Sequence, residues 1–300
     1  MRIGVFGYGS IGKRHCANIS KLGHVVNYYD PACGHDATDR DALTRGADAI
    51  IICSPSKDHN LDIYDTLDNG GHFLCEKPFG YADPAGLDAA VQEARKTPRI
   101  MATGFNLRFH ACVKRVKELI PSIGDIQFAS FTVNQKTDKP AYLRDGILHN
   151  WCSHELDLAN HLLGPGGKVV NCTLEGGDET QAAIITLKYP SVKEYVFIQA
   201  DYYSDPERRH FFIEGTKGAI YVDLVQRNVF RSETDIYKNK TKKWQDLAAT
   251  DTFDQNYSDE MQFFLMSVMC GVHQTPLATA EDGIAALYQV VDARRLAGLE

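Results

Sequence analysis

The chain has 300 residues, 44% of them hydrophobic, and a formal net charge of −7 from 32 basic and 39 acidic side chains. That length buries a sizeable core and fits two domains better than one, and the acidic balance favours no polyanionic partner such as a nucleic acid. Eight scattered cysteines without a C-x-x-C pair argue against zinc knuckles and redox dithiols, and no apolar run approaches the roughly 18 residues of a membrane span.

Arg2 to Phe6 reads as a short apolar strand, followed by the loop Gly7-Tyr8-Gly9-Ser10-Ile11-Gly12 and by helical character from Ile11 to Leu22 that stops at Gly23. The strand starts at once, without a signal peptide, so a reducing cytoplasm is the expected compartment. His24 to Tyr29 reads as a second strand closing on Asp30. The order strand, glycine turn, helix and strand-end acid makes all six loop residues, Gly7 to Gly12, dinucleotide-binding candidates. Gly7 permits the tight turn, Gly9 lets the backbone approach a pyrophosphate, and Gly12 lets the helix pack close to the strand. The first helical turn offers free N–H groups and a positive dipole end. Asp30 is placed to take the ribose hydroxyls and to repel a 2′-phosphate, which favours NAD over NADP.

Ala49 to Cys53 is a continuous apolar strand, Ser54-Pro55-Ser56 a turn, and Asp58 to Asp68 a helix. His72 to Cys75 is the strand that carries Glu76-Lys77-Pro78, with a helix from Pro84 to Lys96 and a strand from Ile100 to Gly104 after it. Such alternation predicts a parallel sheet covered on both faces, with ligands beyond the carboxyl ends of its strands, where Gly7, Ser54, Lys77 and Asn106 fall. Only 18 residues, Pro31 to Asp48, separate the second strand from the strand at Ala49, so the sheet is expected to be reduced there.

Past the break at Pro121-Ser122-Ile123-Gly124, strands near 126–134, 169–175, 181–189, 194–203, 210–214 and 219–223 mostly follow one another without long helices between them. This is an antiparallel signal. Lys238, Lys240, Lys242 and Lys243 sit in a polar, turn-like stretch and read as a solvated hairpin. A helix from 256 to 270 and another from Thr279, an N-cap residue, to 297 close the chain. The expected domains are 1–120, binding dinucleotide, and 121–300, binding substrate.

Six motifs stand in a characteristic order: Gly7 to Gly12, Ser54-Pro-Ser-Lys-Asp-His59, Cys75-Glu-Lys-Pro78, Gly104-Phe-Asn-Leu-Arg-Phe109, His154-Glu-Leu-Asp157 with Leu162-Leu-Gly164, and Glu214-Gly-Thr-Lys-Gly218. With them the chain resembles the Gfo/Idh/MocA family, the glucose-fructose oxidoreductase and inositol dehydrogenase group of nicotinamide-dependent sugar oxidoreductases. The resemblance implies an α/β fold, a Rossmann domain followed by an α/β domain whose large, mostly antiparallel open sheet mediates oligomerisation. It also implies a carbohydrate-like small-molecule substrate and a homodimer or homotetramer. On matching positions, Ser54, Pro55, His59, Glu76, Lys77 and Asn106 are expected near the cofactor, and Lys77, Arg108, Asn150 and His154 near the substrate. Tyr142, upstream of the histidine segment, is a further substrate candidate, with a solvated loop position as the alternative reading.

If the segment from Asn150 to His161 is helical throughout, Asn150, His154, Asp157 and His161 share one face. An anonymous stripe of this kind is most simply a solvated face. The resemblance singles out His154, the histidine of the family's Asp-x-x-x-His, and leaves His161 structural. Asn150 stands where that aspartate belongs. A carboxylate there would stabilise the imidazolium, whereas an amide orients the ring without charge. Three readings stay open: Asp157 supplies the charge, His154 works without one, or Asn150 binds a substrate hydroxyl.

Oxidising a carbinol requires a base at its oxygen. His154 is the first choice, because imidazole titrates near neutrality. Lys77, with an ordinary pKa of about 10.4, is the second and more simply orients the hydroxyl or relays its proton; a plain salt bridge to Glu76 is the bland alternative. His149, His154 and His161 lack His-x-x-x-His spacing, so no metal site is expected. The implied function is an NAD-dependent oxidoreductase acting on a secondary alcohol of a sugar, cyclitol or sugar nucleotide. The alternatives are a ligand-sensing regulator that binds NAD(H) without turnover and a glycosidase that uses NAD transiently.

Overall fold

A computed structural model describes residues 1–35, 39–136, 146–176, 181–235, 240–241, 245–246 and 253–299. In chain order the first elements are β1 (Arg2–Phe6), α1 (Ser10–Lys21), β2 (Val25–Asp30), β3 (Gly34–His35), α2 (Arg40–Gly46), β4 (Ala49–Ile52), α3 (His59–Asp68), β5 (His72–Glu76), α4 (Pro84–Ala94) and β6 (Met101–Gly104). Then follow α5 (Ala111–Leu119), β7 (Ile126–Asn134), α6 (Ser153–Leu163), β8 (Lys168–Glu175), β9 (Ala182–Lys188), β10 (Val196–Asp201), β11 (Arg208–Gly215), β12 (Gly218–Asp223) and β13 (Asn228–Asp235). The short strands β14 (Lys240–Thr241) and β15 (Gln245–Asp246), then α7 (Phe253–Cys270), β16 (Ala278–Thr279) and α8 (Ala280–Leu296), complete the order.

The first sheet runs β16-β6-β5-β4-β1-β2-β3, and its central strands are parallel. The alternation along β4 explains why it reads as an unbroken apolar run. Ile50 and Ile52 enter a core with Phe6, Phe73 and Leu87, while Ala49 and Ile51 enter a second core with Val5, Ile19 and Leu74 on the opposite face. Both faces are buried, so neither can be polar. As expected from the short spacing after β2, among the described residues only the two-residue antiparallel β3 and the seven-residue helix α2 occupy that interval.

Phe253–Tyr288 forms one compact unit with Met1–Phe109, and His110–Thr252 forms the other with Gln289–Glu300. Each compact unit is therefore built from two stretches of the chain. The reason is apolar burial: Met261, Phe264 and Leu265 of α7 complete the core holding Ile3, Ile19 and Leu74, and β16 pairs with β6. Thr279 caps α8, its hydroxyl accepting from the Asp282 N–H while its own N–H donates to Asp282 Oδ2.

In the second unit the sheet runs β14-β13-β12-β11-β7-β10-β9-β8, with β15 on β13. Only β7 and β10 pair in parallel among these strands. Along β10 Val196, Ile198 and Ala200 are buried, whereas Phe197 and Gln199 face outward. One face is thus core and the other open. Helices α2 and α5 and strand β13 are additions to the elements expected from sequence; each is short, with at most nine residues.

Candidate active site

Parallel β1, β4, β5 and β6 deliver the segments that begin at Gly7, Cys53, Lys77 and Phe105 to one edge of the first sheet. Gly7 adopts φ +88°, a region that L side chains rarely enter, and a Cβ there would lie 2.5 Å from the Cys53 carbonyl oxygen. At Gly12 a Cβ would come within 2.0 Å of the Gly7 carbonyl oxygen, whereas at Gly9 it would meet nothing within 4 Å. The loop is closed toward the sheet and open above Gly9, at the N-terminus of α1. This cradle suits a pyrophosphate. Tyr8 stacks on Tyr28 with ring centroids 3.7 Å apart, and Ser10 and Gly9 are exposed.

Asp30 closes the loop from β2. Its carboxylate accepts from the Tyr8 N–H at 2.6 Å and from the N–H groups of Ala32 and Cys33 at 2.8 and 3.2 Å. Partial burial acts to raise its pKa, but these backbone donors outweigh it and hold the carboxyl below its usual range. Oδ1 accepts from both Ala32 and Cys33, whereas Oδ2 accepts only from Tyr8 among these and retains a lone pair for a ribose hydroxyl. We expect Gly12→Ala to weaken NADH binding at least tenfold, since the new methyl must displace the Gly7 backbone; a fluorescence titration of bound NADH measures it.

Lys77 follows β5, is half-buried, and precedes Pro78 across a cis peptide bond. Two buried histidines bracket this turn. His15 Nε2 lies 2.7 Å from Glu76 Oε1, and the Lys77 N–H donates to Glu76 Oε2 at 3.3 Å. On the other side His59 places Nδ1 2.8 Å from the Pro78 carbonyl and Nε2 2.9 Å from the Ser54 carbonyl. His59 thus braces the Ser54-Pro55 turn against the lysine turn, and a neutral ring can donate to only one of the two carbonyls. The Ser54 hydroxyl donates to Asp62, which also meets Arg40. Burial raises the Asp62 pKa, and that hydroxyl and the guanidinium only partly offset it.

Asn106 is buried just past β6. Arg108 is also buried, and its guanidinium bonds Asp282 at 3.1 Å. Burial tends to raise the Asp282 pKa, but Arg108 first and the Thr279 donors next bring it below the ordinary value. This is the geometry of a structural ion pair at the start of α8.

In the second unit, residues 148–152 form a π-type turn before α6 begins at Ser153. The stretch from Asn150 to His161 is therefore not one regular α-helix, and the i, i+4 relation of Asn150 to His154 is not that of an α-helical face. Such turns recur at functional sites because they re-aim side chains. Asn150 Nδ2 donates to the Tyr202 hydroxyl at 2.9 Å. His154 and Asp157 are buried on α6, whereas His161 sits at its exposed end against Lys117. Glu155 forms a two-pronged buried pair with Arg209, at 2.8 and 2.9 Å, and the guanidinium carbon lies 5.7 Å from the Trp151 ring centroid. Tyr142 lies outside the described residues.

The residues that sequence reasoning missed are supports: His15, Asp62, Tyr202 and Arg209. No local signal marked His15 or Tyr202: His15 stands among Lys13, Arg14 and Asn18, and each is tied to its place by a residue distant in sequence, Glu76 for His15 and Asn150 for Tyr202.

A family model described as "Oxidoreductase family, NAD-binding Rossmann fold" matches residues 20–105, and one described as "Oxidoreductase family, C-terminal alpha/beta domain" matches residues 121–295. The chain belongs to the Gfo/Idh/MocA oxidoreductase family. As a Gfo/Idh/MocA protein it has an NAD-binding Rossmann domain, and the glycine cradle and Asp30 fit that cofactor. It is similar to a myo-inositol 2-dehydrogenase of Thermotoga maritima, 25% identical over 325 residues, covering 96% of this chain and 93% of the relative. An inositol 2-dehydrogenase of Rhizobium meliloti is likewise 25% identical over 316 residues, covering 96% of this chain and 94% of that one. Among solved structures, levoglucosan dehydrogenase in complex with NADH and levoglucosan superposes with a TM-score of 0.87 at 16% identity, covering 99% of this chain and 97% of its own. A UDP-N-acetylglucosamine 3-dehydrogenase of Acidithiobacillus ferrooxidans gives 0.83 at 19% identity, with the same coverages. At these identities the superpositions speak to the Gfo/Idh/MocA fold.

Proposed function

We propose that the protein is an NAD-dependent dehydrogenase or reductase that acts on a secondary alcohol or ketone of a sugar, cyclitol or sugar nucleotide. The observation that carries this reading is a half-buried lysine at the carboxyl edge of a dinucleotide-binding sheet, in a chain that also holds a buried histidine at the start of α6. The names of its relatives, inositol and sugar dehydrogenases, support the substrate class. When bound, the nicotinamide accepts or returns the hydride. His154 holds and moves the hydroxyl proton, Lys77 orients the same oxygen, and Asn150, steadied by Tyr202, presents an amide to substrate. Gly7 to Gly12, Ser54, Pro55, His59, Glu76 and Asn106 line or brace the cofactor position. The test is a screen of polyols, aldoses, uronates and nucleotide-linked sugars for change at the nicotinamide absorbance band. Tight NADH binding with no turnover on any of them would sink the reading in favour of a ligand sensor.

Preference for NAD over NADP is part of the proposal. The ionised Asp30 repels a 2′-phosphate, so NADPH is expected to bind at least about tenfold more weakly than NADH in parallel titrations. We place the enzyme in the cytoplasm, where its eight cysteines stay reduced. Among the described residues no helix is long and apolar enough to cross a membrane.

A second copy of the chain is the proposed partner of the open sheet face. Phe197, Ser130, Phe212, Tyr221 and Phe230 lie in one register row across β10, β7, β11, β12 and β13. Phe128 adds its ring 5.8 Å from Phe197 and 6.4 Å from Phe212, and Ile184 is 48% exposed beside them. A flat aromatic band of this kind is an association surface. Phe197→Asp with Phe212→Asp is expected to convert the oligomer to monomer in sedimentation velocity; an unchanged sedimentation coefficient would move the interface elsewhere.

A further inference from the structure

The buried cluster behind Lys77 ties Glu76, placed above at the cofactor position, to two residues that the proposed reaction does not use. His15 is fully buried on α1, one turn after Gly12; Glu76 ends β5; and Glu260, also fully buried, comes from α7. Their ligand atoms all lie within 4.8 Å of one another. Two carboxylates and an imidazole at such range, away from water, require a partner for every charge. The His15 to Glu76 separation of 2.7 Å is that of a direct hydrogen bond. It is shorter than the edge of about 3.3 Å between two tetrahedral ligands at zinc–nitrogen distances.

The seat of Glu76 is tight. Gly104 stands opposite it in the β5–β6 register, and a Cβ there would lie 3.1 Å from Glu76 Cδ and 3.2 Å from Oε2. The carboxylate therefore has one place to go, with one oxygen on His15 and the other on the Lys77 N–H. Its charge reaches the neighbouring strand end, where the Cys53 thiol is pushed up by burial first and by Glu76 next. The imidazole is held in turn, its edge against Tyr257 at 6.0 Å between centroids, while Arg14 covers that tyrosine at 4.7 Å. The chain of contacts thus runs from the glycine loop through α1 and His15 to Glu76 and Lys77, within one compact unit.

We infer that His15 and Glu76 are positioning residues that couple occupancy of the glycine loop to the placement of Lys77. The inference rests on the dinucleotide reading of the loop but not on Lys77 being a catalyst. A pyrophosphate at the N-terminus of α1 fixes that helix, the helix fixes His15, and the buried carboxylate transmits the constraint to the lysine turn. His59, on the far side of the turn, holds Pro78 independently of α1. The coupling is therefore removable without dismantling the turn.

ADP-ribose is the probe, because it fills the loop and lacks the nicotinamide that would touch Lys77 directly. Acetic anhydride labelling of Lys77 in the full chain is quantified by mass spectrometry with and without saturating ADP-ribose. In the wild type the labelling rate is expected to change at least about fivefold. In Glu76→Gln and His15→Phe, each brought to its own saturating ADP-ribose concentration, the change should fall below about twofold, and His15→Gln, which keeps an N–H for Glu76, should regain part of it. A full wild-type response in Glu76→Gln and His15→Phe overturns the coupling. Should both variants fail to fold, hydrogen exchange on the wild type decides. ADP-ribose must slow exchange in residues 72–79 together with 13–19, and slowing confined to α1 overturns the inference. A wild type that does not bind ADP-ribose overturns the dinucleotide reading and the coupling with it, whereas an intact coupling with no turnover leaves only the oxidoreductase reading to fail.

Discussion

His154→Asn is expected to lower kcat by about 10²- to 10⁴-fold, the usual contribution of a positioned acid or base, with NADH affinity unchanged. The side chain is 8% exposed on the first turn of α6, so a polar replacement of similar length perturbs packing little. Steady-state kinetics on the best substrate from the polyol and sugar screen supply kcat, and a fluorescence titration supplies the NADH Kd. A loss confined to KM would make His154 a binding group, because uniform binding changes KM alone. Activity within about threefold of wild type would transfer the proton-moving role to Lys77. Lys77→Met then provides the contrast. If lysine only orients the hydroxyl, its loss should cost less than that of the base and should not alter which ionisation limits the rate.

The Rossmann half was legible because its determinants are local. Gly7, Gly9 and Gly12 act through local backbone conformation, and the apolar runs at Ala49–Ile52 and His72–Glu76 are short and bounded by turn residues. Clustered strands also disclosed the second sheet, since hairpin neighbours such as β11 and β12 are adjacent in sequence. What stayed hidden depends on distant pairing. Nothing near Phe253 tells that α7 returns to the first core, and nothing near Glu155 names Arg209, 54 residues on. The π-type turn at 148–152 illustrates a third kind of miss. Its residues fit an α-helical stripe, so the altered turn emerges only from the backbone, and with it the pairing of Asn150 to Tyr202 instead of a regular spacing to His154.

Arg209→Met is expected to destabilise the second unit by about 3–5 kcal/mol, because it leaves the Glu155 carboxylate buried without its counter-charge. The pair is nearly closed to water, with side-chain exposures of 10% for Arg209 and 2% for Glu155. Both carboxylate oxygens accept from the guanidinium. The partners also differ in element: Arg209 belongs to β11 and Glu155 to α6, so the bond fixes the helix that carries His154 to the sheet beneath it. Urea denaturation followed by far-ultraviolet dichroism measures the loss. The double change Glu155→Leu with Arg209→Met separates desolvation from packing, since removing both charges together is often close to neutral. A double variant as unstable as the single one would mean that the guanidinium of Arg209 against the Trp151 ring, rather than its pairing with Glu155, holds α6 in place. Recovery of stability without recovery of turnover would instead show that the ion pair sets the position of α6, and hence of the imidazole, more finely than an apolar contact can.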